Sequence, residues 1–143
     1  MGRINVGRVI IGGLVAGVVA NALDFVTFTY LMKAEMDDMT QRLNLSVEVM
    51  NGSAAMTTFI VGDFIWGLLL VFTYAAMRPR FGPGPKTAVI SGVTLWAAVC
   101  IMFAGMAAMG VYTQQAFIKS SALTLVSTLI TSWVGGTIYQ EKA

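Results

Sequence analysis

Two aspartates, Asp24 and Asp63, lie inside long apolar stretches and are the side chains of this sequence best suited to chemistry. Asn21 precedes Asp24 by about one helical turn. An ionised aspartate in the middle of a membrane-spanning helix costs about 2.5–3.5 kcal/mol on insertion scales. Neither stretch contains Lys, Arg or His to neutralise it. We therefore predict that at least one carboxyl is protonated at neutral pH and hydrogen-bonded to the other or to Asn21. A bound cation or a partner's basic residue would replace that proton.

Three roles for this pair follow from its chemistry, and the sequence leaves all three open. The carboxyls form a proton or cation site of a small transporter, because intramembrane acids commonly mark ion pathways. Alternatively they form a polar clamp between two helices, with interhelical hydrogen bonds worth about 0.6–2 kcal/mol each. In the third interpretation they pair with Lys or Arg of another subunit.

The composition places the chain among integral membrane proteins and excludes several functional classes. Of 143 residues, 57% are hydrophobic and 11% are charged, whereas soluble domains carry about 25% charged residues. The formal net charge of +2, without a dense basic stripe, argues against nucleic acid as a partner. The chain has no histidine and one cysteine, Cys100, which excludes an imidazole-held cofactor, a multi-Cys zinc site and an internal disulfide. We predict no enzyme activity, no cofactor and no metal.

Four apolar runs predict an all-α, antiparallel four-helix bundle in one transmembrane domain, residues 1–143. The spans cover about residues 9–31, 56–77, 87–110 and 116–139, and about 20 residues at 1.5 Å each cross the hydrocarbon layer. The first run is too long for the core of a signal peptide, so we expect it to be retained. Residues 33–55 form a polar segment in which Met36, Met39 and Leu43 predict a short amphipathic helix. It lies either on the membrane surface or on the end of the bundle.

Glycines predict how the helices pack. Gly13, Gly17, Asn21 and Asp24 share one helical face, which we expect to meet a face of the second span. That second face comprises Phe59, Asp63, Trp66, Gly67, Leu70 and Tyr74. In antiparallel neighbours both carboxyls then lie at a similar depth, about 10 Å below the outer boundary. In the fourth span Gly135 shares a face with Thr124, Thr128 and Thr131, which predicts close packing or the lining of a polar cavity.

A basic connector joins the second and third spans. It contains all three prolines, which we predict stop the second span and set the start of the third. Arg78, Arg80 and Lys86 are candidates for contact with anionic lipid headgroups, at about 1 kcal/mol each. With Arg3, Arg8 and Lys142 on the same side, the positive-inside rule places both termini in the cytoplasm and residues 33–55 outside, in a bacterial inner membrane.

The connector also carries a resemblance. Residues 74–88, which include the run Arg-Pro-Arg-Phe-Gly-Pro-Gly-Pro-Lys-Thr-Ala, are followed by Trp96. This pattern resembles the centre of an uncharacterised family of small four-span bacterial membrane proteins, and the glycine-rich first span with its acidic residue is similar too. The resemblance implies a bacterial origin and the four-helix topology. It implies no activity, ligand or site residue.

Small size and the lack of cofactor ligands favour a non-catalytic function. We expect an accessory or assembly subunit of a larger bacterial membrane complex, with membrane lipids and either other membrane subunits or further copies of itself as partners. The alternative is a homo-oligomeric transporter or channel, coupled to protons or cations, that uses Asp24 and Asp63.

Overall fold

The computed structural model describes residues 4–141 and contains no strand within that range. Its helices are α1 (Val6–Val26), α2 (Lys33–Arg42), α3 (Val47–Met50), α4 (Ser53–Phe81), α5 (Pro85–Ala108) and α6 (Gln114–Ile138), and a π-helical segment, Thr27–Leu31, joins α1 to α2. Four stretches are long and apolar enough to cross a membrane. The predicted all-α bundle of four antiparallel spans is therefore confirmed. Arg3 and Lys142, which entered the orientation argument, lie outside the described residues.

The four long helices form a closed ring. Helix α1 packs against α4 and α6, and α5 packs against the same two helices. Helices α1 and α5 therefore occupy opposite corners, whereas α4 and α6 also touch across the middle. Large apolar side chains cover the outside of all four helices, as a lipid environment requires.

Two tyrosines close the end of the bundle that carries the basic connector. The Tyr74 hydroxyl accepts a hydrogen bond from the Gly84 N–H at 3.0 Å, and the Tyr139 hydroxyl accepts one from the Asn5 N–H at 3.2 Å. Their rings meet edge to face, with centroids 6.0 Å apart, and both side chains are buried. Each tyrosine thus ties an irregular segment to the helical core, because a buried phenol needs a polar partner for its hydroxyl.

Buried hydroxyls join α5 to α6. The Ser91 and Ser132 hydroxyl oxygens are 3.0 Å apart, and both are within 3.0 Å of the Ala88 carbonyl oxygen. Such small polar residues let two helices approach closely and satisfy their hydrogen bonds across the contact. Gly92 adds to the close approach, since a Cβ there would lie 3.4 Å from the Ser132 Cβ.

The predicted end of the second span, at about residue 77, is wrong by about one helical turn. Helix α4 continues through Pro79 and ends at Phe81. Pro79 lies in the last turn of α4, where its missing N–H removes a single hydrogen bond of the helix. The helix ends instead at Gly82, whose φ of +84° is favourable only for glycine. Pro85 occupies the first turn of α5, where a proline is well tolerated.

The polar segment after the first span packs on the end of the bundle. Met32 and Met39 are buried, and Glu35 of α2 is paired with Lys119 of α6. The second of the two expected arrangements is therefore the one observed. Asn51 and Gly52 separate α3 from α4.

Candidate functional site

Glycines bring the backbones of α1 and α4 into direct contact. A Cβ added to Gly67 would overlap the Gly13 carbonyl oxygen and lie 2.5 Å from the Gly17 nitrogen. On the other side, a Cβ on Gly13 would lie 2.7 Å from the Leu68 Cα, and one on Gly17 would lie 2.8 Å from the Phe64 Cα. The predicted glycine face of the first span thus lies against α4 at distances that admit no side chain.

Helix α6 closes on α1 in a similar way. A Cβ on Gly135 would overlap the Val71 side chain and lie 3.1 Å from the Ala16 Cβ. A Cβ on Gly12 would lie 3.0 Å from the Gly135 carbonyl oxygen. Gly12 and Ala16 were not singled out from the sequence, because they lie on a second face of α1 that only the position of α6 reveals.

Asn21 connects α1 to α4 independently of the acids. Its side-chain amide donates to the Gly17 carbonyl of its own helix at 3.0 Å and to the Ile60 carbonyl of α4 at 3.3 Å. The amide is therefore committed to backbone oxygens. We expected the acids to bond either to each other or to Asn21. Because the Asn21 amide bonds to backbone carbonyls instead, it is not their partner.

Asp24 and Asp63 meet at the centre of the bundle. Their side chains line the same cavity, and so does Ser127 of α6. Both side chains are half-buried. The structure therefore brings the two acids to one depth. Other members of the predicted α4 face diverge: Leu70 and Tyr74 are buried, whereas Phe59 is 65% exposed and stacks on Phe28.

The carboxyl pair lines a cavity of about 190 Å³. We call this space the carboxyl cavity. All four long helices and the π-helical segment contribute to its wall, which is lined by Ala20, Asp24, Thr27, Phe28, Asp63, Trp66, Val99, Phe103, Leu123, Thr124, Ser127 and Thr128. A water molecule occupies about 30 Å³ in the liquid, so this volume holds several waters or a partly hydrated cation.

One wall of the carboxyl cavity is rich in hydroxyls. Thr124, Ser127 and Thr128 of α6 face the two carboxyls, with Thr27 from the π-helical segment. The Thr128 hydroxyl is buried and has no hydrogen-bond partner within residues 4–141. Both arrangements considered for the fourth span therefore occur. Thr124 and Thr128 line the cavity, and Gly135 packs against Val71 and Ala16. Carboxylate and hydroxyl oxygens together suit a proton, a hydronium ion or a hard cation.

A π-helical segment begins three residues after Asp24. The Met32 N–H donates to the Thr27 carbonyl at 2.7 Å, which is the i to i−5 hydrogen bond of a π-helix. Thr27 and Phe28 of this segment both line the carboxyl cavity. Single π-helical turns occur frequently at functional sites, and the sequence carried no signal for this one.

The three basic residues of the connector are placed differently from one another. Arg80 and Lys86 are exposed and free to meet lipid headgroups. Arg78 instead turns toward the bundle, where its guanidinium lies 5.6 Å from the centre of the Tyr139 ring. Its Nη1 is 3.9 Å from a Glu141 carboxylate oxygen, and its side chain is 20% exposed. Arg78 thus tethers the end of the chain to the bundle.

Comparisons with protein families, with characterised proteins and with solved structures found no match for this chain.

Proposed function

We propose that this protein binds a proton or a small cation between Asp24 and Asp63, and acts in a bacterial inner membrane as a homo-oligomeric proton- or cation-coupled transporter or channel. The observation that carries the proposal is the carboxyl cavity, in which two acids from neighbouring helices face three hydroxyl-bearing residues of a third helix. We propose no catalysed reaction at this site.

Electrostatics gives the pair an affinity for one positive charge. Two ionised carboxylates on the wall of one low-dielectric cavity repel each other, so a proton or a cation between them lowers the energy of the pair. The hydroxyls of Thr124, Ser127 and Thr128 supply further oxygens for such a charge. Because the residues around them include Phe28, Trp66 and Phe103, the charge would be held in a cleft with apolar walls.

A purely structural clamp explains this arrangement less well. Asn21 already bridges α1 and α4 with its own amide, and the glycine contacts bring the backbones together. A clamp requires contact between the two helices, and a neighbouring cavity would not strengthen that contact. The acids instead open onto a cavity of about 190 Å³, which a bound ion or water would use.

Charge distribution supports the proposed orientation. The exposed residues Arg80 and Lys86 lie at one end of the bundle, and α2 (Lys33–Arg42), with three acidic and two basic residues, lies at the other. By the positive-inside rule the connector faces the cytoplasm and α2 faces outward. The carboxyl cavity then lies in the outer half of the membrane.

Purified protein reconstituted into vesicles tests the proposal. A pH gradient, or a gradient of Na⁺ or K⁺, is imposed across the vesicle membrane, and a trapped indicator dye follows the flux of each ion. We expect flux of protons or of one of these cations well above that of protein-free vesicles. Rates equal to those of protein-free vesicles for all three ions would contradict the proposal.

The accessory-subunit function remains the second candidate, and one feature favours it. Phe25, Tyr30 and Phe59 near the outer end of α1 and α4 are each more than 60% exposed, which gives that end an aromatic surface for another membrane protein. Native purification in mild detergent tests it. A stoichiometric second protein, lost when these aromatics are replaced, supports an accessory role, whereas a homo-oligomer alone contradicts it.

A further inference from the structure

Four buried hydroxyls lie between the carboxyl cavity and the connector. They belong to Thr128 and Ser132 of α6 and to Ser91 and Thr87 of α5, and none of these side chains is more than 1% exposed. Thr128 lines the carboxyl cavity, whereas the Thr87 hydroxyl donates to the carbonyl of Gly82, the residue that follows α4. One end of the set therefore opens on the two acids, and the other end reaches the connector.

Each of these hydroxyls is a neighbour of the next. Thr128 and Ser132 lie four residues apart in α6, which places them on one helical face, about 6 Å apart along the axis. The Ser132 and Ser91 hydroxyl oxygens are 3.0 Å apart across the contact of α6 with α5, and either hydroxyl can donate to the other. Ser91 and Thr87 again lie four residues apart, in α5. We call these four residues the hydroxyl file.

The outer end of the hydroxyl file has an unused hydrogen-bonding group. The Thr128 hydroxyl is buried and has no hydrogen-bond partner within residues 4–141, although its side chain lines the cavity. A buried hydroxyl without a partner costs free energy, so this group favours a bond to water or to a hydronium ion in the cavity. Thr128 is therefore the point at which a proton held near the acids can enter the file.

Close packing of helices does not require these hydroxyls. Where α6 meets α1, the close approach is made by Gly12, Ala16 and Gly135. Glycine and alanine bring helices together without placing a polar group in the core, and a hydroxyl there needs a hydrogen bond to offset its burial. What a hydroxyl adds is the ability to donate and accept a hydrogen bond at the same time.

The core beside the hydroxyl file suits a proton better than a metal cation. Leu70 and Val71 of α4 are fully buried there, and Val71 lies against Gly135. A metal cation needs oxygens that replace its hydration shell at every position along its path. The hydroxyl file offers one or two oxygens at each level. A proton needs no more than that, because it moves by exchange along hydrogen bonds.

We propose that the hydroxyl file conducts protons between the carboxyl cavity and the connector, and that the transported ion is the proton. Each hydroxyl accepts a proton on one side and releases its own on the other, so only O–H bonds form and break and the file is unchanged after it reorients. One water molecule bridges each of the two steps of about 6 Å. This inference rests on the proposed function, which leaves the choice between a proton and a cation open.

Proton flux in variants of the hydroxyl file tests the inference. The full-length protein is reconstituted into vesicles, and trapped dyes follow protons, Na⁺ and K⁺ separately. Thr87→Val keeps the shape of the side chain and removes its hydroxyl, and Ser132→Ala removes the hydroxyl that meets Ser91. Each is expected to lower proton flux about tenfold, the factor that the loss of one hydrogen bond implies. Flux of Na⁺ and K⁺ is expected to equal that of protein-free vesicles.

Two matched variants control for changes in shape. Thr87→Ser keeps a hydroxyl at the same position and is expected to retain the parent proton flux. Thr94→Val makes the same replacement in the same helix, but Thr94 is exposed and its hydroxyl donates to the Ile90 carbonyl at 2.7 Å. It is also expected to retain the parent flux. Circular dichroism matches the amount of folded protein in each preparation, and if Ser132→Ala does not fold, Thr87→Val decides alone.

The inference and the proposed function fail in different ways. Flux of Na⁺ or K⁺ would overturn the hydroxyl file and keep the proposed function. Proton flux that is unchanged in Thr87→Val, or lowered equally in Thr94→Val or Thr87→Ser, would do the same. Flux of none of the three ions would contradict the proposed function and the hydroxyl file together.

Discussion

Gly67→Ala is expected to destabilise the folded protein by about 2–4 kcal/mol, the range of a severe overpacking. The added methyl group would overlap the Gly13 carbonyl oxygen and the backbone of Gly17. These are backbone atoms, so no side chain can rotate away, and α1 and α4 must separate. That separation also lengthens the distance between Asp24 and Asp63. Denaturant unfolding of the protein in detergent, followed by helical circular dichroism, measures the loss.

Gly62→Ala in the same helix is the control. A Cβ at Gly62 has no neighbouring atom within 4 Å. Alanine is favoured over glycine in a helix by up to about 1 kcal/mol, so this variant is expected to be as stable as the parent or slightly more stable. If both replacements had the same effect, close contact of α1 with α4 would not be what stabilises the bundle.

Asp24→Asn and Asp63→Asn are each expected to lower ion flux in vesicles at least tenfold, and the double replacement is expected to reduce it to the protein-free rate. Asparagine has nearly the same size and still forms hydrogen bonds, but it carries no charge and no exchangeable acid proton. The bundle should therefore keep its fold while losing affinity for a positive charge. Flux is measured in vesicles matched for the amount of folded protein.

Asn21→Ala tests whether helix–helix contact and ion flux depend on different residues. It removes the amide that bonds to the Gly17 and Ile60 carbonyls, and so it is expected to lower stability by about 1 kcal/mol. Because Asn21 is not part of the carboxyl cavity, the folded fraction should retain its flux. Full flux in the Asp24→Asn/Asp63→Asn protein, combined with a large loss of stability, would show that the acids serve only to join helices.

Hydropathy and glycine spacing made the bundle predictable from the sequence. A chain with 11% charged residues and four long apolar runs has few arrangements other than membrane-spanning helices. The similar depth of the two acids followed from counting residues from the ends of two antiparallel helices, which residues 33–55 join. The contact between Gly13, Gly17 and Gly67 followed from helical periodicity, since an apolar face with repeated glycines admits another backbone.

The features that escaped prediction depend on tertiary structure. Pro79 costs α4 one hydrogen bond without ending it, and the helix stops two residues later at Phe81, before the positive φ of Gly82. Ser127 became part of the site only because the packing of α6 places it on the wall of the cavity that Asp24 also lines. The π-helical segment at Thr27–Leu31 and the position of α2, which Glu35 joins to Lys119 of α6, reflect how the chain crosses the end of the bundle. No local pattern of residues encodes that course.

Infrared spectroscopy tests the carboxyl pair most directly. The protein is placed in nanodiscs in a buffer whose only cation is too bulky for the cavity, and the carbonyl band of a protonated carboxyl is recorded at neutral pH in H₂O and in D₂O. We expect the band of one protonated carboxyl per chain. This band should shift in D₂O, because water reaches the group, and it should be absent from the Asp24→Asn/Asp63→Asn protein. Two ionised carboxylates with no such band would contradict it, since the pair would then hold neither a proton nor a cation.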